Sequence, residues 1–193
     1  MRHFTLLLAA LFAAIAAHAE PLWMRYPAIS PNGEKIAFTY KGSIYVVPSA
    51  GGQATRLTTT ECHNSLPVWS PDSKSLAYAS DRYGNYDIFI VSVDGGQPTR
   101  LTTHSAKEEP YAFSNDGKKV YYGASISDPA TSALFPKSSM GELYAVSVDG
   151  GRPERVLATP AQLINFSRDG KRFLYQDRKG GEDDFRKHHT SSI

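Results

Sequence analysis

The sequence of 193 residues predicts an all-β protein built from repeated four-stranded antiparallel units. One pattern recurs along the chain at a spacing of about 40–50 residues, which is typical of a repeat array. Within each copy the apolar runs are short and have a period near two, and turn residues separate them, as in strands. The copies occupy about residues 26–64, 65–108, 109–160 and 161–193, and the fourth copy is incomplete.

Each copy accounts for four short strands. The first strand ends at Ile29, Trp69, Phe113 or Phe166, and the second carries residues 36–38, 76–78, 120–122 or 173–175. The third covers residues 44–47, 88–91 or 143–146, and the fourth is the Arg-Leu or Arg-Val segment. Tight turns at residues 30–33, 114–117 and 167–170 contain Asn-Gly or Asp-Gly, which supply the positive φ of a hairpin. No stretch after residue 20 shows a sustained helical pattern.

Tandem units of this kind are the blades of a β-propeller, and a propeller needs about four to eight blades to close its ring. We therefore expect about three complete blades and the start of a fourth, arranged as an open, incomplete ring. Large apolar residues such as Trp69, Phe113 and Phe166 should pack between adjacent blades. In the fourth copy we expect a lone hairpin over residues 163–176. The segment beyond Gly180 should be extended or poorly packed.

The first nineteen residues are predicted to be a secretory signal peptide rather than part of the fold. Arg2 and His3 precede an apolar run over residues 4–17, which is too short to span a bilayer, and Ala17-His18-Ala19 has the small-x-small form of a cleavage site. We expect the mature chain, residues 20–193, to be exported to the periplasm or the extracellular space. No second apolar run of spanning length follows, so no membrane span is expected after cleavage.

Composition limits the chemistry of the chain. The formal charge is +2, and without a basic stripe nucleic-acid binding is not expected. The single cysteine, Cys62, cannot form an intramolecular disulfide and is interpreted as a plain loop thiol beside His63. No Gly-x-Ser-x-Gly elbow is present, so no catalytic residue is assigned. No cofactor is expected, and no metal either, because adjacent His188 and His189 lack the spacing of a ligand pair.

The repeated pattern consists of a large apolar residue, Ser-Pro-Asp-Gly-Lys and apolar-Ala-aromatic, followed by Asp-Ile-Tyr-Val and Gly-Gly…Arg-Leu-Thr. It resembles the WD-like propeller repeat of TolB-type proteins and tricorn-like peptidases. A second resemblance is carried by Tyr175–Gly180 and by residues 185–192, which include His-His-Thr-Ser-Ser. Together these segments are similar to the start of exported bacterial tricorn-like serine peptidases. In that family a further propeller-like domain, a PDZ domain and a serine peptidase domain follow. The family's catalytic residues have no matching positions here, so the resemblance implies a parent hydrolase and a non-catalytic propeller.

Loop lengths indicate where an interaction surface should lie. Turns between first and second strands are short and uniform, whereas the loops between second and third strands vary from about residues 40–43 to residues 124–142. Variation of this kind marks the face on which function is usually placed. The proposed interaction residues are apolar or basic and lie in the two longest of these segments: Leu134, Phe135, Met140, Arg186, His188 and His189.

Two classes of function compete at this stage. The leading interpretation is the propeller of an exported tricorn-like serine peptidase, which recruits or gates peptide substrates or docks other domains, within a parent that could be a homo-oligomer. The alternative is a TolB-like periplasmic scaffold that binds partner proteins of the envelope. A prolyl-oligopeptidase-type propeller shares the fold but lacks the His-His-Thr-Ser-Ser match.

Overall fold

The computed structural model describes residues 23–126, 141–160, 162–167, 169, 171–176 and 188–192. These residues form fifteen β-strands and no helix. In chain order the strands are β1 (Arg25–Ile29), β2 (Lys35–Tyr40), β3 (Ser43–Pro48), β4 (Thr55–Arg56), β5 (Asn64–Trp69), β6 (Ser75–Ser80), β7 (Asp87–Ser92), β8 (Thr99–Arg100), β9 (Glu108–Phe113), β10 (Lys119–Ala124), β11 (Glu142–Ser147), β12 (Glu154–Pro160), β13 (Gln162–Phe166), β14 (Arg172–Gln176) and β15 (His188–Ser192).

The strands form four antiparallel sheets that follow one another along the chain. Sheets one to three contain four strands each, in the order β1–β4, β5–β8 and β9–β12, and sheet four contains β13–β15. Because each strand pairs with its neighbours in sequence, every sheet is a meander, which is the blade of a propeller. The prediction of three complete blades and the start of a fourth is confirmed, and the first strand of each sheet ends at the predicted residue.

The sheets are arranged around a common axis that lies on the side of their first strands. Strand β1 contacts β5, β5 contacts β9, and β9 contacts β13. The buried core of the described residues falls into three clusters, which join sheets one and two, two and three, and three and four. None of these clusters joins sheet one to sheet four, so the arc is open.

Aromatic residues at the ends of the first strands fill the joints between sheets, as predicted. Trp69 is 7% exposed, and its indole Nε1 donates a hydrogen bond to the carbonyl oxygen of Ala28 in sheet one at 2.8 Å. Phe113 is buried in the joint between sheets two and three, and Phe166 packs on Tyr121 with ring centroids 4.8 Å apart. The equivalent residue of sheet one, Ile29, is 64% exposed because no described sheet precedes it.

The turns between first and second strands share one hydrogen-bonding pattern. In the second sheet the hydroxyl of Ser70 donates to Oδ1 of Asp72 at 2.6 Å, and the N–H of Lys74 donates to the same oxygen at 3.0 Å. The residue after the aspartate takes a positive φ, 62° at Ser73 and 72° at Gly117. This conformation normally favours glycine, yet the second copy adopts it with serine.

The first strands of sheets one and two contain bulges that shift their register. Tyr26 and Leu66 lie in these bulges with φ of 53° and 56°, and each is followed by proline, Pro27 and Pro67. Proline cannot donate to a sheet ladder and is tolerated on edge strands and at bulges. The first strands therefore turn an irregular edge toward the axis of the arc.

The prediction of a lone hairpin in sheet four is wrong. Residues 188–192 form β15, which pairs antiparallel with β14, with His189 opposite Tyr175 and His188 opposite Gln176. Sheet four therefore has three of the four strands of a blade. The strand escaped sequence analysis because His-His-Thr-Ser-Ser has no alternation of apolar and polar residues, whereas backbone pairing with β14 does not require one.

Candidate functional site

The repeated Arg-Leu-Thr segment has a structural role at the outer edge of sheets one and two. In sheet two, Nη2 of Arg100 lies 2.8 Å from Oδ2 of Asp87, the first residue of β7, and forms an ion pair with it. The hydroxyl oxygen of Thr102 accepts a hydrogen bond from the N–H of Ile88 at 2.8 Å. The corresponding bonds of sheet one join Arg56 to Ser43 and Ile44 to Thr58. These contacts tie the fourth strand to the third, so the motif indicates fold rather than ligand binding.

A buried acidic residue lies at the joint between sheets two and three. Glu108, the first residue of β9, is 0% exposed; its Oε2 accepts a hydrogen bond from the hydroxyl of Thr102. Its Oε1 and the hydroxyl of Tyr122 have no hydrogen-bond partner among the described residues. Burial raises the pKa of the Glu108 carboxyl from 4.5 to about 7, although the Thr102 hydrogen bond favours the charged form. Because the carboxyl is closed off from solvent, its effect is on stability rather than on a substrate.

The preceding repeat has a different residue at the position of Glu108. The equivalent residue of the preceding copy is Asn64, which is also 0% exposed. Its Nδ2 donates a hydrogen bond to the carbonyl oxygen of Gly42 at 3.0 Å. A neutral amide therefore satisfies this position in one copy, whereas an ionisable carboxyl occupies it in the next.

A cluster of exposed and half-buried aromatic and charged residues lies at the starts of the first strands, at the end of each sheet opposite to the short turns. We define the rim as Tyr26, His63, Tyr86, Lys107 and Glu109. These residues lie in or just before strands of sheets one, two and three, on the face that carries the loops between second and third strands. The rim thus borders the axis of the arc on the face where sequence analysis placed an interaction surface.

Specific contacts join four of the rim residues, His63, Tyr86, Lys107 and Glu109. The hydroxyl of Tyr86 lies 3.0 Å from Nδ1 of His63, and Nζ of Lys107 lies 5.5 Å from the centre of the Tyr86 ring. Nζ of Lys107 also forms a salt bridge of 2.5 Å with Oε1 of Glu109, and this hydrogen bond raises the pKa of Lys107. The pKa of Tyr86 is raised, first by partial burial and then by the charge of Asp81.

The residues proposed from the sequence as an interaction surface are only partly described by the structure. Leu134, Phe135, Met140 and Arg186 lie outside the described residues. His188 and His189 lie on a strand, β15, rather than in a loop. The structure therefore does not bring these six residues together within its described part, and their role as an interaction surface stays a prediction.

Cys62 lies in a polar loop setting. Its Sγ is 3.4 Å from the hydroxyl oxygen of Ser80 and 3.5 Å from Oδ1 of Asn64. The imidazole of the adjacent His63 contacts Tyr86 instead of the thiol. Within the described ranges, no group of three or more His, Cys, Asp or Glu side chains is arranged to hold a metal ion.

Sequence analysis did not select the rim residues, although the rim lies on the face where it expected an interaction surface. It selected the two longest loops, whereas the rim residues lie at or just before the starts of strands. A useful signal was available, because His63 and Lys107 precede the first strands of consecutive sheets. Equivalent positions at the start of first strands converge on the axis of a propeller, so polar and aromatic residues there are candidates for ligand contact.

Four consecutive meander sheets around a common axis define the class of the protein, which is a β-propeller with WD-like repeats. The family described as "Tricorn protease N-terminal beta propeller domain" matches residues 21–192. The chain belongs to this family. The resemblance stated from the sequence is thereby confirmed.

Individual relatives agree with this assignment. The curated protein "Tricorn protease homolog 1" of Streptomyces coelicolor is 35% identical over 66 residues, which cover 34% of this chain and 6% of that protein. The structure is also similar to TolB from Acinetobacter baumannii, with a TM-score of 0.67 and 20% identity over 87% of this chain and 40% of the TolB chain. The crystal structure of the tricorn protease matches with a TM-score of 0.51 and 14% identity over 91% of this chain and 26% of that chain.

The matched region is a small part of these relatives, since it spans 6% of the curated tricorn homologue and 40% of the first TolB chain. At 20% and 14% identity the two structural matches show the fold alone. Among the described residues, no helix is both long enough and apolar enough to cross a membrane.

Proposed function

We propose that this propeller is the non-catalytic, polypeptide-recruiting portion of an exported tricorn-like serine peptidase. The observation that carries the proposal is the rim, a partly exposed set of aromatic and charged side chains that borders the axis of the arc. Membership of the tricorn N-terminal propeller family supports a role beside a peptidase domain. No residue of the chain is assigned to bond cleavage.

The chemistry of the rim suits an extended polypeptide. Tyr26 is 46% exposed, and the side chain of Lys107 is 61% exposed. Tyrosine rings offer apolar faces with a polar tip, and an ammonium group attracts a carboxylate of a peptide side chain or C-terminus. Next to the rim, the first strands are edge strands, and the outward backbone groups of an edge strand can pair with an added extended segment.

A binding assay with a matched control tests this role. Fluorescein-labelled fragments of reduced casein are titrated with the chain and followed by fluorescence anisotropy. Replacing Lys107 with Gln should weaken binding about two- to fivefold, because one exposed cation and its contact with Tyr86 are lost. The control is Lys119→Gln, which breaks a similar exposed ion pair with Glu154 on the opposite face. Equal weakening by both variants would show that the rim has no special role.

Export is the second part of the proposal. It rests on the apolar run and small-x-small site of residues 1–19, which lie outside the described residues. Cleavage after Ala19 should leave Glu20 as the N-terminus, which mass spectrometry of protein from a secreting host measures. Retention of Met1 in a membrane fraction would contradict export by cleavage.

The TolB-like scaffold remains the competing proposal. The TolB structures share the fold at 20% and 21% identity, whereas the family match is to the tricorn propeller. The gene sequence that follows codon 193 separates the two. A PDZ domain and a serine peptidase domain support the first proposal, and further repeats followed by a stop codon support the scaffold.

A further inference from the structure

A cleft of about 450 Å³ lies between sheets two and three, on the face of the short turns and thus opposite to the rim. Ile90, Phe113 and Val148 contribute apolar surface to it, while Asp72 and Asp116 line it with carboxylates. Its volume lies within the range of about 300–1,000 Å³ that is typical of ligand sites. The cleft therefore combines apolar surface with polar side chains, of which two are carboxylates.

The two joints differ at one turn position beside the cleft. At the joint of sheets one and two, the hydroxyl oxygen of Ser73 accepts a hydrogen bond from the N–H of Asn32 at 3.2 Å and bridges the two turns. The equivalent residue at the joint of sheets two and three is Gly117, which has no side chain to bridge to Asp72. A Cβ atom at Gly117 would lie 3.7 Å from Cδ of Pro71, an ordinary contact. The space is therefore large enough for a side chain that the sequence does not supply.

Both carboxylates of the cleft are held in the charged form. The hydroxyls of Ser70 and Ser114 donate to Asp72 and Asp116, and these hydrogen bonds, followed by those from the backbone N–H groups two residues on, lower the pKa of each carboxyl. In each aspartate the turn bonds end on Oδ1. Oδ2 is thus the oxygen that each carboxylate can offer to a ligand. Lys74 and Lys118 lie beside these carboxylates but are not part of the lining.

We propose that this cleft binds the side chain of an arginine or lysine from a partner polypeptide. The long aliphatic stem of such a side chain would pack on Ile90 and Phe113, while its cationic head would lie between Asp72 and Asp116. Long basic side chains commonly bury their stems and keep the charge at a polar edge. The site goes beyond the rim, since it lies on the other face of the arc and recognises a positive charge.

Ligand-observed saturation-transfer NMR tests the proposal with a defined probe. The probe is N-acetyl-arginine methylamide, and its neutral counterpart is N-acetyl-citrulline methylamide. The arginine probe should bind the full chain saturably with transfer to its methylene protons. The citrulline probe should bind several-fold more weakly, because it has the same shape without the charge.

The repeats provide variants with native precedents. Asp72→Asn and Asp116→Asn retain Oδ1 and should keep the turn, because Asn32 forms the same turn in the first copy. Each should weaken binding of the arginine probe about two- to fivefold. Gly117→Ser should weaken it several-fold, because the added hydroxyl would stand beside Asp72 and bridge the two turns, as the hydroxyl of Ser73 bridges to Asn32. Ser73 also shows that serine tolerates this backbone conformation.

Matched controls separate this site from general effects of charge or folding. Asp169→Asn makes the same change in the turn of sheet four, and Gly33→Ser makes it in sheet one, where no atom lies within 4 Å of the added Cβ. Neither control should change binding of the probe. Three results would overturn the proposal. They are binding of the citrulline probe as tight as that of the arginine probe, a loss of arginine-probe binding with Asp169→Asn as large as with Asp116→Asn, and the absence of saturable transfer. The Lys107→Gln variant should leave the arginine probe bound, so failure of the rim and failure of the cleft are distinguishable.

Discussion

Replacement of Glu108 with Gln should remove a pH-dependent destabilisation of the propeller. The carboxyl is fully buried, and burial raises its pKa in the folded chain from 4.5 to about 7. Asp87, whose pKa is also raised by burial, and Arg100 face the same carboxyl from sheet two. Gln keeps the shape and can still accept the hydrogen bond of Thr102, but it carries no ionisable proton.

The direction of the pH effect on stability depends on whether the folded or the unfolded chain binds the Glu108 proton more tightly. Because the folded pKa of Glu108 lies above the unfolded one, folding favours the protonated form. Its contribution to stability is complete below about pH 4.5 and is lost as pH rises through about 7. A shift of this size corresponds to about 2–3 kcal/mol in the free energy of unfolding, allowing for partial screening.

Denaturant unfolding at pH 4.5, 6 and 8.5, followed by the fluorescence of buried Trp69, measures the effect. The wild-type chain should lose about 2–3 kcal/mol across this range, and Glu108→Gln should remove most of that loss. Glu109→Gln is the matched control, because Glu109 is the adjacent residue but its carboxylate is exposed and paired with Lys107. Its pH dependence should follow the wild type. A wild-type stability that does not fall with pH, or a Glu108→Gln profile parallel to it, would refute the reasoning.

Three further predictions concern packing. Trp69→Ala should lower the free energy of unfolding by about 3–5 kcal/mol, because a buried ring and its bond to Ala28 are lost; a cost below about 1 kcal/mol in the same denaturant titration would contradict this burial. Gly123→Ala should be destabilising, because the added Cβ would lie 2.8 Å from Cε2 of Tyr111. In a double-mutant cycle, Tyr111→Ala should reduce that loss of stability. If Gly123→Ala alone leaves stability unchanged, the Tyr111 ring moves away freely and the prediction is wrong. Sedimentation of residues 20–193 should reveal association, since Ile29 and Tyr26 of the first strand of sheet one are exposed. A compact monomer that melts cooperatively would argue against an open arc.

Much of the fold was predictable because strand spacing and turn chemistry are local properties. Apolar runs with period two, bounded by Ser-x-Asp turns, predicted the strand ends at Trp69 and Phe113. The repeat then determined the sheet order, since consecutive antiparallel strands form meanders. Strand β15 was not predictable in this way, because its polar residues pair through the backbone with β14.

The candidate sites were harder to predict because they depend on which copies meet. Neither Glu108 nor Gly117 is unusual within its own repeat, and both become informative only when compared with Asn64 and Ser73 at the equivalent positions. The burial of Glu108 follows from the joint between two sheets, and the cleft beside Gly117 lies at that same joint. Alignment of the repeats identifies both sequence differences, Glu108 against Asn64 and Gly117 against Ser73. The burial of Glu108 and the position of the cleft require the structure.

Binding and cleavage measured in one sample test the proposed role most directly. Purified residues 20–193 are incubated with fluorescein-labelled reduced casein, anisotropy reports binding, and the appearance of new N-termini reports cleavage. The proposal predicts saturable binding that Lys107→Gln weakens, with no new N-termini. Cleavage that a serine-directed inhibitor abolishes, or the absence of saturable binding, would contradict it.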